Sequence, residues 1–366
     1  MELRYFILRR VLLLVPTIFG LVTLVFIIIW SAPENDWLSP YLSIKGISHA
    51  EALKKIEQQL HWYPGNPLLT YFYYLRDLLV GQWGYMGGTN SVYQGNPING
   101  ILLFFPNTIQ LALGAIILSL VVSLPLGTYI GSKPNSAADQ IGRVFSLAGY
   151  AMPAFWLAYL LIALFGDKTG YLLPVVPWGG NGLTGSTTAY TGNQPWIHAT
   201  QSGLYTTPTH VLLIDALLGG SLKWFLIALE YLILPVLTLT YGILAGLLRF
   251  IRAGMVDASN QEYVKTARAK GVPERLIIKR HIRKNALIPA VTVFGLLFAG
   301  LLSGAVTVEL VFTYSGLGYF IVESSIPVQL QVWAIMAGTI VFGLLLVTAN
   351  LIVDVIYAYI DPRIRY

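Results

Sequence analysis

The sequence has no cysteine and few charged side chains, and each shortage excludes a class of protein. Without cysteine there are no disulfides, no thiolate metal sites and no cysteine nucleophile. Charged residues form 11% of the 366-residue chain, whereas soluble domains contain about 25%. Apolar residues form 55%, and the mean hydropathy is +0.66. This composition predicts an integral membrane protein.

Motifs of catalysis and cofactor binding are also missing from the sequence. No stretch matches GxxxxGK followed by Ser or Thr, so we do not expect a P-loop for ATP. No paired acid and base stands out as a catalytic constellation. The histidines show neither HExxH nor another metal-ligand spacing; they are His49, His61, His198, His210 and His281. We therefore predict a chain that is not an enzyme and holds no cofactor or metal of its own.

Long apolar runs alternate with polar segments along the chain. A helix needs about 20 apolar residues to cross a bilayer, and the run 11–30 has that length. Five further apolar runs follow, at 101–130, 144–165, 225–250, 290–312 and 331–360. The pattern predicts about six membrane-spanning helices.

Lys and Arg are distributed unevenly between the polar segments. Three precede the first run, two lie in 131–143, ten lie in 249–284 and two follow the last run, against six in 31–100 and 166–224; these account for all 23. Cytoplasmic loops of membrane proteins carry the excess of Lys and Arg. We therefore expect a multi-pass protein of the cell membrane with both termini in the cytoplasm, and with 31–100 and 166–224 outside.

The two external segments differ in composition. In 31–100, Ser48 and Glu51 have capping-box spacing, and the stretch 66–80 is amphipathic and rich in Tyr, so this segment is expected to form helices. In 166–224, turn residues alternate with Tyr and Trp. That pattern is typical of short strands or of an irregular cap.

The most densely charged part of the chain lies between the fourth and fifth apolar runs. Ser259 and Glu262 have the spacing of a capping box, which predicts a helix start. Gly271 fits the residue just after a helix end, and Pro273 fits the start of the next helix. We predict a short helix, a tight turn at Gly271 and a second basic helix that runs to about Ala286.

The residues of this charged segment resemble those of a known family. Lys265-Thr-Ala267 through Gly271, with Pro289 following, is similar to the EAA loop of ATP-binding-cassette importer permeases, in the form found in dipeptide and oligopeptide permeases. Lys265 and Thr266 replace the Glu and the first Ala that give the loop its name. Three other stretches resemble the same family: RYFILRRVLLLVPTIFGLVTLVF, MPAFWLAYLL and the ending NLIVDVIYAYIDPRIRY.

The resemblance implies an all-α integral membrane protein with the type I ABC importer permease fold. The external insertion between helices 3 and 4, with short strands as one alternative, is predicted from its own residues, and the resemblance says least about it. The resemblance also divides the chain into regions: an amino-terminal transmembrane helix 1–30, an external amphipathic segment 31–100, a permease domain 101–360 with the insertion 166–224 and the cytoplasmic coupling segment 251–288, and a cytoplasmic carboxyl terminus 361–366.

The resemblance further implies a site of mechanical coupling. The short helix after Ser259 would be the coupling helix, which docks on a cytoplasmic ATPase subunit. Its contact residues would be Glu262, Lys265, Thr266, Ala267, Arg268, Ala269, Lys270, Gly271 and Pro289. The alternative is an ordinary basic loop that is held by lipid phosphates.

Polar side chains inside the apolar runs are candidates for the translocation path, because a polar group at bilayer depth usually faces a bundle interior or a cavity. Thr292, Ser303, Thr307 and Glu309 lie in the fifth run, and Ser303 and Thr307 share a helix face. Packing between helices is the alternative role for such residues. Asp354, near the inner end of the sixth run, is expected to bond to backbone or to basic partners.

The resemblance leads us to expect one permease subunit of an ATP-driven importer, with the partners and cargo that the family implies. Expected partners are a second related permease, two ATPase subunits that bind ATP and Mg²⁺, membrane lipid and an external substrate-binding protein; no nucleic acid is expected. Segment 31–100 would be a docking platform for the binding protein or would lie on the lipid. Peptides are the expected cargo, with oligosaccharides or nickel as alternatives. A secondary transporter without ATPases is the alternative of another class, but no convincing internal repeat is present.

Overall fold

The computed structural model describes residues 3–42, 44, 46–87, 93–165, 198–199, 205–206, 209–326 and 330–360. Within these ranges the fold is helical apart from one small antiparallel pair, β1 (His198–Ala199) with β2 (Tyr205–Thr206). The all-α membrane fold implied by the resemblance is confirmed. Residues 166–197, which hold most of the predicted external insertion, and the carboxyl terminus 361–366 lie outside the described residues.

The helices of the described residues are numbered in chain order. They are α1 (Leu3–Trp30), α2 (Glu34–Leu42), α3 (His49–Leu60), α4 (Pro67–Leu79), α5 (Pro97–Ser132), α6 (Ala137–Ala151), α7 (Ala154–Phe165), α8 (Leu212–Leu218), α9 (Leu222–Ser259), α10 (Glu262–Ala269), α11 (Glu274–Leu276), a π-helical turn (Ile277–Ile282), α12 (Arg283–Val311), α13 (Leu317–Glu323) and α14 (Val332–Ile360).

Four of these helices, α1, α5, α9 and α14, are long and apolar enough to cross a membrane on their own. Two bent pairs could each form a further span: α6 with α7, bent by 112°, and 274–295 with 300–311, bent by 55°. The expected six spans are therefore reached in the described residues when each bent pair is counted as one span. Length and apolar composition set this number.

The third apolar run is the clearest departure from the predicted pattern. We expected one span over 144–165 after a loop at 131–143, but α6 already begins at Ala137 and ends before Pro153. Met152 is extended, with φ −89° and ψ 120°. A residue before proline is pushed out of the helical region by the proline ring. Pro153 thus turns one expected span into two helices.

The segment 31–100 forms three helices before α5: α3 and α4 confirm the two helices that its spacing predicted, and α2 was not predicted. At α3 the capping box is present: the Ser48 amide donates to the Glu51 carboxylate at 2.9 Å, and the Glu51 amide donates to the Ser48 hydroxyl. The hydrogen bond from the Ser48 backbone lowers the pKa of Glu51. At α4, Asn66 caps the helix by accepting from the Leu69 amide. Both ends use the short polar side chains that favour helix starts.

The centre of the membrane region is α9, which packs between α5 and α12. Leu111 of α5, Ile243 of α9 and Leu302 of α12 belong to one buried cluster. Near the other side of the molecule α1 lies along α14, where a side chain at Gly343 would collide with Leu21. Arg10 of α1 also pairs with Asp354 of α14 at 3.1 Å. The prediction of a basic partner for Asp354 is therefore confirmed.

Candidate functional site

The charged segment forms a helical hairpin that follows α9. Its first arm is α10, its turn is 270–273, and its second arm consists of α11, the π-helical turn and the start of α12. The expected capping box at Ser259 is wrong, because Ser259 is still the last residue of α9 and its hydroxyl donates to the Val256 carbonyl at 2.8 Å. Gln261 is the residue before α10, and its side chain makes no cap hydrogen bond. Since α9 stays helical to its end, the Ser259 hydroxyl is already used within α9 and is not available to α10.

The inner face of α10 packs on its own chain. Val264 and Ala267 are buried in the same apolar cluster as Ile277, Ile282 and Ala286, which follow in the second arm of the hairpin. Ala267 is one of the residues predicted to contact the ATPase partner. The structure instead places it inside the hairpin, where its small size lets the two arms approach.

The turn of the hairpin depends on Gly271. Its φ is +75°, a left-handed conformation that other L-residues seldom adopt. The Gly271 amide donates to the Arg268 carbonyl and the Val272 amide donates to the Ala267 carbonyl, so the carbonyls at the end of α10 are satisfied. Nothing lies within 4 Å of the position that a Cβ would occupy. Glycine is therefore required here by backbone conformation and not by lack of space.

Two side-chain contacts join the arms of the hairpin. Arg268 donates to both carboxylate oxygens of Glu274, at 3.1 and 2.7 Å, which raises the pKa of Arg268. The Asn285 amide donates to the Tyr263 hydroxyl at 3.1 Å. Bidentate contacts between Arg and a carboxylate fix geometry as well as distance. The hairpin is therefore held as a unit by its core on one side and by these contacts on the other.

The outer face of α10 is solvent-exposed and predominantly basic. Of the predicted contact residues, Ala267 is buried and Pro289 lies in α12 outside the turn; those exposed on α10 and its turn are Glu262, Lys265, Thr266, Arg268, Ala269, Lys270 and Gly271. Lys265 pairs with Glu262 at 2.7 Å along the helix. The structure thus gathers most of the predicted contact residues on one exposed surface. Their role in docking stays a prediction.

The second basic helix does not end where it was expected to end. After Pro273 the chain stays helical through α11, the π-helical turn and α12, as far as Val311. The expected stop near Ala286 is therefore wrong. The segment 283–288 contains no glycine or proline, and the proline that follows, Pro289, is accommodated inside α12. The second arm of the hairpin is consequently continuous with the fifth apolar run.

The residues proposed for the translocation path are not gathered at one surface. Ser303 is exposed, while Thr307 is half-buried and its hydroxyl donates to the Gly304 carbonyl at 2.8 Å. A cavity of about 210 Å³ between α6, α7, α9 and α12 is lined by neither of them. The side chain of Thr292 lies outside the described residues. Path lining by Ser303 and Thr307 stays a prediction.

Glu309 is fully enclosed by protein in this conformation. Thr108 of α5 donates its hydroxyl to one carboxyl oxygen at 2.6 Å, and the Tyr319 amide at the start of α13 donates to the other at 3.0 Å. The Thr108 hydroxyl in turn accepts from the Leu317 amide at 2.7 Å. A Cβ on Gly316 would lie 2.2 Å from the Glu309 carboxyl, so a side chain at this position would require that carboxyl to move. The contacts favour a structural role, in which Glu309 joins α5, α12 and α13.

A buried carboxylate at the start of α6 was missed from the sequence. Asp139 has no exposed surface and accepts from Arg252 of α9 through Nε and Nη2 and from Arg143 one turn along α6. The backbone amide of Asn135 also donates to the Asp139 carboxylate, at 2.8 Å. Its position three residues after Ser136 predicts a helix start, but its partner on α9 is 113 residues away in the chain. This contact fixes α6 to α9 just before the hairpin.

The sequence profile of the binding-protein-dependent transport system inner membrane components matches residues 123–366, which is more than half of the chain. The chain belongs to this family. The matched residues include α9, the hairpin and α12, so the family match covers the site described above. The family is one of membrane components, and the membrane location expected from composition is confirmed.

Individual members of this family are similar to the chain over nearly its whole length. The oligopeptide transport system permease protein AppB of Bacillus subtilis is 32% identical over 99% of each chain. The probable D,D-dipeptide transport system permease protein DdpB of Escherichia coli is 35% identical over 96% of this chain and 94% of its own. The glutathione transport system permease protein GsiC of Pectobacterium atrosepticum is 31% identical over 100% of this chain and 99% of its own. The resemblance to dipeptide and oligopeptide permeases is therefore confirmed.

Membership of this family also bears on the alternative that the chain is a secondary transporter. Permease components of transport systems work with other subunits of the same system, so a secondary transporter that acts alone is not favoured. Among the described residues, no group of three or more His, Cys, Asp or Glu is placed to hold a metal ion. The relatives are permease subunits, which agrees with a membrane component whose role is transport.

Proposed function

We propose that this chain is a permease subunit of an ATP-driven importer, and that it forms half of the path for di- and oligopeptides. The observation that carries this proposal is similarity over nearly the full length to permeases named for oligopeptides, for D,D-dipeptides and for glutathione. All three names describe small peptides. They give no support to oligosaccharides or nickel as the cargo.

The hairpin supplies the mechanical part of the proposal. The outer surface of α10 docks on a cytoplasmic ATPase subunit, while ATP and Mg²⁺ bind in that partner. A second related permease completes the path, a second ATPase subunit binds to that permease, and an external binding protein delivers the peptide. In this arrangement both termini of the chain lie in the cytoplasm.

The geometry suits transmission of force from α10 into the membrane. The hairpin continues from α9, whose 38 residues extend about 57 Å at 1.5 Å per residue. Its second arm is continuous with α12. A displacement of α10 is passed to both helices because Val264 and Ala267 are buried against the second arm and Arg268 holds Glu274. The same push therefore moves the two helices that pack on each other at the centre of the fold.

Substitutions on the outer surface of α10 test this mechanism. In the complete transporter, reconstituted with its ATPases and binding protein, we expect Ala269→Glu and Gly271→Glu to insert normally but to lower peptide uptake at least about tenfold, the equivalent of 1.4 kcal/mol of lost coupling. ATP hydrolysis should lose its stimulation by loaded binding protein. Ala269→Glu is the cleaner variant, because Gly271→Glu also strains the turn.

The matched control is Ala137→Glu, which adds the same charge at an exposed alanine at the start of α6. This control should transport normally. Normal peptide-stimulated uptake by Ala269→Glu, or an equal loss in Ala137→Glu, would contradict the assignment of α10 as the coupling helix. Uptake of labelled oligosaccharide but not of peptide by the unmodified transporter would contradict the proposed cargo.

A further inference from the structure

A second basic site lies between α6 and α9, away from the exposed face of α10. It is a cavity of about 380 Å³. Its lining residues are Arg143, Ser146, Leu147, Tyr150, Arg249, Arg252 and Ala253. Three of these seven side chains are arginines, although the cavity lies between helices of an apolar bundle. Neither the hairpin nor the family match gives this cavity a role.

The charges at the cavity are not balanced within the described part of the chain. Asp139 accepts hydrogen bonds from Arg143 and Arg252. Three guanidinium groups therefore face one carboxylate, which leaves an excess of two positive charges. Arg249 is exposed, and no acidic side chain among the described residues forms an ion pair with it. A guanidinium presents several N–H donors in a plane, a geometry that matches phosphate oxygens.

The cavity lies at the level where apolar helix surfaces give way to polar chain. At the end of α5, a Cβ on Gly131 would meet Met255 and the Arg252 backbone, so Arg252 is level with the last turn of that span. The polar turn with Lys133 follows directly. Arg249 is three residues earlier in α9, about 4.5 Å deeper. Long basic side chains at such positions extend toward the lipid headgroups.

Apolar and aromatic side chains adjoin the arginines on the outer surface of α6. Leu147 and Tyr150 line the cavity and are 70% and 67% exposed. Val144, on the same helix, is 69% exposed. Tyrosine is enriched where the hydrocarbon core meets the headgroups. A ligand with both a phosphate and an acyl chain could use the arginines and these exposed side chains together, whereas a free phosphate could use only the arginines.

We propose that this cavity binds the phosphate of an anionic lipid headgroup, with the acyl chain along Leu147 and Tyr150. Arg249 and the N–H donors that Arg143 and Arg252 do not use for Asp139 hold the phosphate. Basic pockets between membrane helices are the chemistry that recognises anionic lipids. The bound lipid joins α6 to α9 near the end of α9 that precedes the hairpin. This inference depends on the membrane fold alone and not on the cargo or on the docking of α10.

Lipid retention measured on the complete transporter tests the proposal. The complex is purified in nanodiscs that contain equal amounts of phosphatidylglycerol and phosphatidylcholine, and the lipids that remain bound are counted by native mass spectrometry. We expect selective retention of phosphatidylglycerol. Arg249→Gln should lower that retention about fivefold, since one basic residue near a membrane surface contributes about 1 kcal/mol. Arg249→Lys keeps the charge but loses the planar guanidinium. Its retention of phosphatidylglycerol should lie between those of the unmodified protein and Arg249→Gln.

The matched control is Lys133→Gln, which removes one positive charge at the same level but outside the cavity. It should retain phosphatidylglycerol as the unmodified protein does. Equal losses in Arg249→Gln and Lys133→Gln, or no preference for phosphatidylglycerol, would overturn the site. A third arm adds inorganic phosphate to the complex in phosphatidylcholine alone. The melting temperature of this complex is compared with that of the complex in phosphatidylglycerol. If both ligands raised the melting temperature equally, and Arg249→Gln abolished both effects, the proposal that the bound phosphate belongs to a lipid would be overturned.

Discussion

The carboxyl group of Glu309 shows how one buried side chain can determine the path of the backbone around it. It accepts from Thr108 on α5 and from the Tyr319 amide at the start of α13. Gly316, the residue before α13, has no side chain that could cap the helix. Glu309 of α12 therefore accepts from one of the unpaired amides at the start of α13. The sequence places Glu309 and Gly316 seven residues apart, but only the fold brings them into contact.

Removing the acceptors at Glu309 should destabilise the protein. In Glu309→Leu, the Thr108 hydroxyl and the Tyr319 amide lose their acceptor, and each unsatisfied buried group costs about 1–3 kcal/mol. Glu309→Gln keeps one acceptor and the shape, so its loss should be smaller. The measurement is the midpoint of thermal unfolding in detergent. Ser303→Ala, at an exposed position of the same helix, should have little effect; a midpoint for Glu309→Leu equal to that of the unmodified protein would show that these contacts carry no stability.

At the scale of secondary-structure elements, α3 and α4 are joined by polar contacts. His61, the residue after α3, has a left-handed conformation, and its Nδ1 lies 2.9 Å from the buried carboxylate of Asp77 on α4. Arg76 donates to the other oxygen of Asp77 at 2.8 Å and lies over the ring of Tyr73, on which His61 is stacked. Four side chains thus fix the angle between two helices that have few other contacts.

Loss of the charge at Asp77 should loosen this junction without unfolding the spans. Hydrogen bonds to charged groups contribute about 1.5–3 kcal/mol, and we expect the lower end because Arg76 and His61 are partly exposed. In Asp77→Asn, amide hydrogen exchange should therefore be about tenfold faster in α3 and α4 and unchanged in α9. Glu57→Gln, an exposed carboxylate on α3, is the control. Unchanged exchange in Asp77→Asn, or faster exchange throughout the protein, would contradict the role of this junction.

On the scale of the whole molecule, one aromatic cluster joins parts of the chain that are far apart in sequence. Trp62 follows α3 and is 1% exposed; it packs on Phe26 and Trp30 of α1, on Trp37 of α2 and on Trp333 of α14. Ring contacts of this kind contribute about 0.5–1.5 kcal/mol beyond area burial. This cluster therefore attaches α2 and the end of α3 to α1 and α14.

Truncation of Trp62 should destabilise the attachment of α2, α3 and α4 to the long apolar helices. Replacing a buried tryptophan by alanine costs about 3–5 kcal/mol, so Trp62→Ala should lower the melting temperature of the complex and expose 31–80 to protease. Trp62→Phe should cost less, because the indole Nε1 has no hydrogen-bond partner among the described residues and the ring contacts are largely kept. Trp156→Ala, on the exposed surface of α7, should have little effect. Equal stability of the two alanine variants would rule out the cluster as the attachment.

Composition and periodicity were sufficient for several features because these depend on neighbours in sequence. Apolar runs of about 20 residues must cross a bilayer or be buried whatever lies around them. The capping box at Ser48 and the turn at Gly271 are also local, since each is decided by the few residues around it. Resemblance of the charged segment identified the family for the same reason. Sequence alone therefore established the class of protein, the basic hairpin and the helices α3 and α4.

Contacts between distant parts of the chain were decided only by the tertiary structure. Glu309 and Ala267 were expected to face a path or a partner, but Thr108 lies 201 positions from Glu309 in sequence and Ala267 is covered by the opposite arm of its own hairpin. Asp139 meets Arg252 across 113 positions. Nothing local marks such pairs, because burial of a polar group depends on which helices pack together. Sequence determined which segments enter the membrane, and packing determined which of their polar residues remain on a surface.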